Sequence, residues 1–163
     1  MSKQFWIFLV LGLAVVGIVV SGVLVSTKGA HLDLTGQVLK VRVLALNPKA
    51  SIVVVDFRVT NPSDVPFVVR SVEMKLDPRS GETADGKSIS KPDVENVFKY
   101  EKLVGPKYND VLSLQDRIDP HRTVDRMSGA RFEVPEAVVN NRKSIHLHIE
   151  DVDGAAVDIP EKK

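Results

Sequence analysis

The stretch QVLKVRVLALNPKASIVVVDFRVT, residues Gln37–Thr60, decides the fold because apolar and polar residues alternate on both sides of one turn. Alternation with a period of two is typical of a strand with one buried face. Asn47-Pro48-Lys49-Ala50 separates the two runs, and proline suits the second position of a tight turn. We therefore predict an antiparallel hairpin of strands Gln37–Leu46 and Ser51–Thr60. The predicted inward residues are Leu39, Val41, Val43, Ala45, Val53, Val55, Phe57 and Val59, and the outward charged residues are Lys40, Arg42, Asp56 and Arg58.

Five more strands follow from the same alternation and from the turn residues between them. They are Pro66–Leu76, a strand around Val111–Leu114, Thr123–Val134, Lys143–Glu150 and Ala155–Ile159. Within the first of these the apolar residues change face, and a bulge near Arg70–Ser71 restores the phase. Seven short strands predict a mainly β domain, a seven-stranded Ig-like antiparallel β-sandwich over residues 37–163.

Two segments between the strands are not expected to be extended. Pro92–Val104 is predicted to form one short helix, since it begins with proline, which suits a first helical turn, and is followed by Gly105, which suits a stop. We expect this helix to cover an end of the sandwich. Asp77–Lys91 is polar and lacks apolar spacing. We interpret it as a mobile loop in which substitutions at Thr83–Ser88 have little effect.

Upstream of the sandwich, Phe5–Val25 (FWIFLVLGLAVVGIVVSGVLV) is an uninterrupted run without charge. At 1.5 Å per residue a helix of this length spans roughly 30 Å, about the thickness of a bilayer's hydrocarbon core. We predict a single transmembrane helix that lies in the lipid bilayer. A cleaved secretory signal is the alternative, although its apolar region is usually shorter. The predicted layout is a tail and anchor at residues 1–25, a linker at 26–36 and the β-sandwich domain at 37–163.

The charges beside the apolar run bear on the side of the membrane that holds the domain. Lys3 precedes the run, and Lys28, Lys40 and Arg42 follow it, so a literal count of positive residues places the domain in the cytoplasm. That rule governs short loops, however, and long domains translocate largely regardless of charge. We favour a domain outside the cytoplasm, either periplasmic or on the cell surface.

The composition argues against several functional classes. The charges nearly balance, with 22 Lys and Arg against 21 Asp and Glu, so the chain lacks the basic field expected of a nucleic-acid-binding protein. Cysteine is absent, which excludes disulfides, thiolate metal sites and cysteine nucleophiles. None of the common catalytic or phosphate-binding motifs occurs. We expect no enzyme activity, no catalytic residues and no cofactor.

Residues Val53–Val72, VVVDFRVTNPSDVPFVVRSV, resemble LEA14/WHy-type and related telokin-like bacterial domains. In those domains a strand ends in an Asn-Pro-Asn/Ser step before a short return into the next strand, and Asn61-Pro62-Ser63 matches that step. Ile118-Asp119-Pro120 followed by Thr123 is similar to the turn before a late strand in extracellular Ig-like domains, with His121 where glycine is often found. The resemblance implies a β-sandwich that binds or protects rather than catalyses.

Three groups of polar residues are candidate sites. His146 and His148 share the outer face of one strand and, with Glu150 as a third ligand, suit a metal ion; the alternative is an ordinary solvated surface. An acidic group beside a tight turn suggests calcium, although the EF-hand spacing is incomplete. A mixed-charge region suggests a docking face for a protein or for anionic headgroups, with a solvated strand pair as the alternative. The acidic group is Glu150, Asp151, Asp153 and Asp158, and the mixed-charge region is Arg117, His121, Arg122, Arg126 and Arg131 with Asp116, Asp119 and Asp125.

Together these features predict a membrane-anchored, non-catalytic binding, accessory or scaffold module that is exposed outside the cytoplasm and has a protein partner. Two alternatives remain. One is a protective stress domain of the LEA14-like kind, and the other is an envelope protein that weakly captures a metal ion or ligand through its histidine face.

Overall fold

The computed structural model describes residues 3–27 and 34–162. The chain divides into two compact units, Met1–His31 and Leu32–Lys163. Residues 28–33 of the predicted linker and the first two residues of the tail lie outside the described residues. Lys28, which was counted among the positive residues after the apolar run, is one of them.

The N-terminal unit is one helix, α1, at Lys3–Thr27. Its segment Gln4–Gly22 has a mean hydropathy of 2.5 and is long and apolar enough to cross a membrane. A signal sequence near an N-terminus has the same properties, so the helix agrees with both interpretations of the apolar run.

The second unit is mainly β, with nine strands among the described residues in place of the predicted seven. The strands are β1 Thr35–Asn47, β2 Ala50–Thr60, β3 Phe67–Pro78, β4 Ala84–Ser88, β5 Asp110–Val111, β6 Arg117–Ile118, β7 Thr123–Phe132, β8 Arg142–Asp151 and β9 Ala156–Pro160. The helices are α2 Lys91–Tyr100, a 3-10 turn at Lys102–Val104 and α3 Glu136–Asn140.

The strands form a two-layered β-sandwich. Their order is β1-β2-β7-β4-β3-β8-β9, with β5 beside β7 and β6 beside β3. The inner faces of β1, β2 and β7 meet those of β3, β8 and β9 in one core. The pairings within the described residues are antiparallel, apart from the short parallel contact of β5 with β7. Fully buried core side chains come from both layers, among them Phe57, Phe132, Phe67, Leu76, Ile145, Leu147 and Ile159.

The β1–β2 hairpin is confirmed, with Val41 opposite Val55 and Val43 opposite Val53. Two residues predicted to face inward, Leu39 and Ala45, are exposed instead. The register shifts between Val38 and Lys40, so Leu39 is 43% exposed and Val38 packs against the core instead. The predicted bulge in β3 is also present, with a register shift between Val69 and Ser71 that turns Arg70 to solvent.

The expected mobile loop at Asp77–Lys91 is wrong, because it contains β4. This strand joins the two layers: Ala84–Gly86 pairs with β3, and Lys87 and Ser88 pair with β7. A Cβ atom at Gly86 would lie 2.6 Å from Cζ of Phe132 and 3.0 Å from the Met74 carbonyl oxygen. The close approach of the two strands therefore requires glycine there.

The predicted helix exists but does not cover an end of the sandwich. Instead α2 lies on the outer face of the β2–β7 layer, where Val94 packs with Val54 and Met127 in a second cluster. Gly129 of β7 permits this contact, since a Cβ atom there would lie 2.9 Å from Val94. Helix α3, rather than α2, contacts strands of both layers, and its residue Val139 lies in the main core.

Candidate binding site

The two histidines of the proposed metal face are paired separately. Nε2 of His146 lies 3.1 Å from Asp77, and Nδ1 of His148 lies 2.8 Å from Asp158. The hydrogen bond from Thr83, together with the charge on His146, lowers the pKa of Asp77, against the opposing effect of desolvation. Within residues 3–27 and 34–162, no three His, Asp or Glu side chains are arranged to hold a metal ion.

The acidic group around the β8–β9 turn also has structural partners. Asp151 is buried, and its carboxylate accepts hydrogen bonds from the backbone N–H of Val68 at 2.6 Å and of Asp153 at 2.8 Å. Glu150 pairs with Arg70 at 3.3 Å. These contacts fix the turn to β3, so the group does not converge on a calcium site.

The Asn-Pro-Ser step that carries the resemblance is a corner of the fold. Asn61 is buried, and its Nδ2 donates to the carbonyl oxygens of Val65 at 2.8 Å and Ile118 at 3.0 Å. Its Oδ1 accepts from the backbone N–H and the hydroxyl of Ser63. In the later turn, His121 has a φ of 54°, the left-handed conformation that favours glycine.

The structure shows a buried ion pair where both residues were expected to face solvent. Nη1 of Arg42 lies 2.5 Å from Oδ2 of Asp56, and the two side chains are 5% and 4% exposed. Asn109 donates to the other carboxylate oxygen at 2.9 Å. The guanidinium carbon is 5.2 Å from the Phe98 ring and 5.7 Å from the Tyr108 ring. The network ties β1 and β2 to the segment that covers them.

A sequence signal for this covered face was available. Between Ser51 and Asp56 the residues are apolar on both strand faces, since Ile52 and Val54 alternate with the inward valines. A strand with two apolar faces is buried on both sides. Asp56 shares the outer face with Val54, which is buried like it, and with Ile52, which is partly buried.

The sandwich has an opening on its side, between β4 and the β5–β6 segment, which we call the side opening. It lies between Val72 of β3 and Ser128 of β7, and its volume is about 480 Å³. The size falls within the range of small-ligand sites. Leu114 at its rim is 66% exposed. The lining is mainly apolar, with Val72, Ile89, Val111, Leu112 and Leu114, and includes Ser88, Ser90, Ser113, Ser128 and Lys91.

Two of the four serines at the side opening have a role in the fold. Ser88 donates to the Val72 carbonyl oxygen at 2.6 Å, and Ser90 is the N-cap of α2. Ser113 and Ser128 have side-chain hydroxyls without a hydrogen-bond partner in the described part of the chain. Both hydroxyls are therefore available to a ligand.

A polar cleft of about 250 Å³ adjoins the side opening and shares Lys91, Val111 and Leu112 with it. Of the predicted mixed-charge region, the structure brings only Arg117, Arg126 and Asp116 to this cleft. The other members of the region do not line the cleft. Several form ion pairs elsewhere: Arg131 with Glu133, His121 with Asp64, and Asp125 with Arg58.

The charges of the polar cleft are unequally compensated. Asp116 accepts the Ser113 backbone N–H at 2.8 Å, and Asp110 lies 3.5 Å from Lys107. Lys91 and Arg126, in contrast, have no carboxylate within ion-pair distance among the described residues. Among the described residues, Lys91 and Arg126 therefore lack an ion-pair partner, whereas Asp110 has Lys107 and Asp116 accepts a backbone hydrogen bond.

No protein-family model matches the chain, and no curated protein matches it. Among solved structures it is similar to an uncharacterized β-sandwich protein from Clostridium difficile, with 12% identity over 79% of this chain and 85% of that chain and a TM-score of 0.37. The assignment of a β-sandwich rests on the strand pairing and the common core described above.

Proposed function

We propose that the protein is a membrane-anchored, non-catalytic binding module that captures a protein partner at its side opening. In this proposal α1 is the anchor, and the β-sandwich is held outside the cytoplasm. The resemblance of Val53–Val72 to LEA14/WHy-type domains supports a β-sandwich that binds rather than catalyses. The histidines and acidic residues of the other candidate sites are bonded to neighbouring side chains or backbone groups. The side opening is therefore the best candidate binding surface.

The observation that carries the proposal is the lining of the side opening. Apolar side chains and two hydroxyls without a partner in the described residues face a space of about 480 Å³ in a sandwich that is otherwise closed by β4 and the β5–β6 segment. Ligand-binding sites in proteins typically combine mainly apolar walls with a few precisely placed polar groups. A purely protective domain requires no such feature.

In-cell photo-crosslinking tests this proposal. A photoreactive amino acid replaces Leu114 at the rim, and a matched variant carries it at Lys49, which is exposed at the β1–β2 turn away from the opening. We expect one dominant, stoichiometric partner from position 114 and not from position 49. Equal, diffuse labelling of abundant neighbours from both positions would instead support the LEA14-like protective alternative.

A further inference from the structure

We propose that the ligand of the side opening is the free C-terminal end of a polypeptide whose last side chain is apolar. The apolar side chain enters the side opening, and the terminal carboxylate lies between Lys91 and Arg126 in the polar cleft. This inference rests on the proposed function and specifies the chemistry of the partner.

Charge complementarity supports an anionic group beside an apolar one. Lys91 lines both the side opening and the polar cleft, so its side chain lies beside a ligand that occupies the two. Arg126 has only one side-chain hydrogen bond in the described residues, from Nη1 to the Asp125 carbonyl oxygen at 3.1 Å. Its guanidinium can therefore donate to a carboxylate, and hydrogen bonds between charged groups are the stronger kind.

The strand pairing favours a chain end over a chain that passes through. β3 pairs with β6 at Phe67 and Val68 and with β4 at Met74–Leu76, so the interval between them is closed at both ends. Within it, Val69 is already bonded to the backbone of residues 115 and 116. Only a short segment fits against Val72, and a chain terminus is the shortest segment that a polypeptide offers.

The hydroxyl groups favour a peptide over a fatty acid. Ser113 and Ser128 face the opening without partners in the described chain. A peptide supplies backbone N–H and C=O groups for them, whereas a hydrocarbon chain supplies none and leaves them unsatisfied. An amphiphilic carboxylate is accordingly the competing ligand in the test.

The test uses the full-length protein in lipid nanodiscs and a synthetic pool of hexapeptides that end in Leu after randomised positions. One pool has free C-terminal carboxylates and the other has amides, and mass spectrometry measures the retained amounts. We expect at least about tenfold more retention of the acid pool, a ratio of the size that one charged contact gives. Lys91→Gln should remove most of this difference, and the control Lys49→Gln, at the β1–β2 turn, should retain it.

Equal retention of the acid and amide pools would overturn the inference. Retention of sodium octanoate, dependent on Lys91, without retention of either peptide pool would also overturn it and would assign an amphiphile instead. If position 114 crosslinks one partner but neither pool is retained, the binding module stands and the C-terminal ligand does not. If position 114 has no partner either, the proposed function fails as well.

Discussion

At the scale of single residues, Arg42 and Asp56 form a buried ion pair outside the main apolar core. The two groups lie 2.5 Å apart, and Nε of Arg42 has no hydrogen-bond partner in the described chain. Such a pair lends little net stability, since desolvation offsets the attraction, yet loss of one member leaves the other charge buried.

We expect Arg42→Ala to lower the free energy of unfolding by about 3–5 kcal/mol, because Asp56 then remains buried without its cation. Denaturant unfolding of the full chain in micelles, followed by the circular dichroism of the sheet, measures this. The double variant Arg42→Met, Asp56→Leu should recover most of the loss. A loss as large in the double variant as in the single one would show that packing, and not the charge, is responsible.

The ion pair between Arg58 and Asp125 predicts a response to acid. Nε and Nη2 of Arg58 lie 2.6 and 2.8 Å from the two carboxylate oxygens, and this contact lowers the pKa of Asp125 below 3.8. Between the folded and unfolded pKa values the unfolded chain binds more protons, so stability rises with pH across that window. The contribution is complete above about pH 4 and is lost as the pH falls through the folded pKa.

We therefore expect Asp125→Asn to destabilise the domain at pH 7 and to have progressively less effect below pH 4. Thermal unfolding midpoints of wild type and variant from pH 2 to pH 7 measure the difference. An unchanged gap between the two curves throughout this range would contradict the assignment. Because the Arg58 and Asp125 side chains are 47% and 34% exposed, the effect should be small and should decrease with added salt.

At the scale of elements, β4 shows what alternation in the sequence cannot reveal. The strand reads ADGKS and has neither apolar periodicity nor the β-branched residues that typify strands. Its backbone pairs with two strands that are distant in sequence, and those pairings define it. The same applies to α2, whose helical propensity is local but whose docking on Val54 and Met127 is tertiary.

We expect Gly86→Ala to lower the free energy of unfolding by about 1–3 kcal/mol, because the added methyl group overlaps Phe132 and Ala130. Ser80→Ala, in the nearby exposed turn, should change it by less than about 0.5 kcal/mol. Equal small effects in equilibrium unfolding would restore the mobile-loop interpretation of Asp77–Lys91.

The hairpin and the β3 bulge were predictable because local alternation records which face is buried. Val53, Val55 and Phe57 keep a constant phase, and the change of phase after Val69 required an extra residue at Arg70. The bulge at Leu39 was not predictable, since a leucine there suits either face. The side opening depends on where β4 and β6 end against β3, and no single segment encodes that position.

At the scale of the whole molecule, the two units have separate requirements for burial. The β-sandwich encloses its own core, whereas α1 exposes apolar side chains such as Val15 and Ile18. A helix apolar on every face requires lipid or a large protein core around it. The composition of α1 therefore supports the proposed membrane anchor, and an experiment can distinguish an anchor from a cleaved signal and locate the domain.

The absence of cysteine makes that experiment direct. Ser80→Cys places a thiol in the exposed β3–β4 turn, and Ser2→Cys places one before the apolar run. With the domain outside the cytoplasm, a membrane-impermeant maleimide should label Cys at position 80 in intact cells, and the one at position 2 only after permeabilisation. The reverse pattern would place the domain in the cytoplasm, as the literal count of Lys and Arg implies. Release of a labelled product that lacks the apolar run would identify α1 as a cleaved signal, and the partner would then meet the side opening away from the membrane.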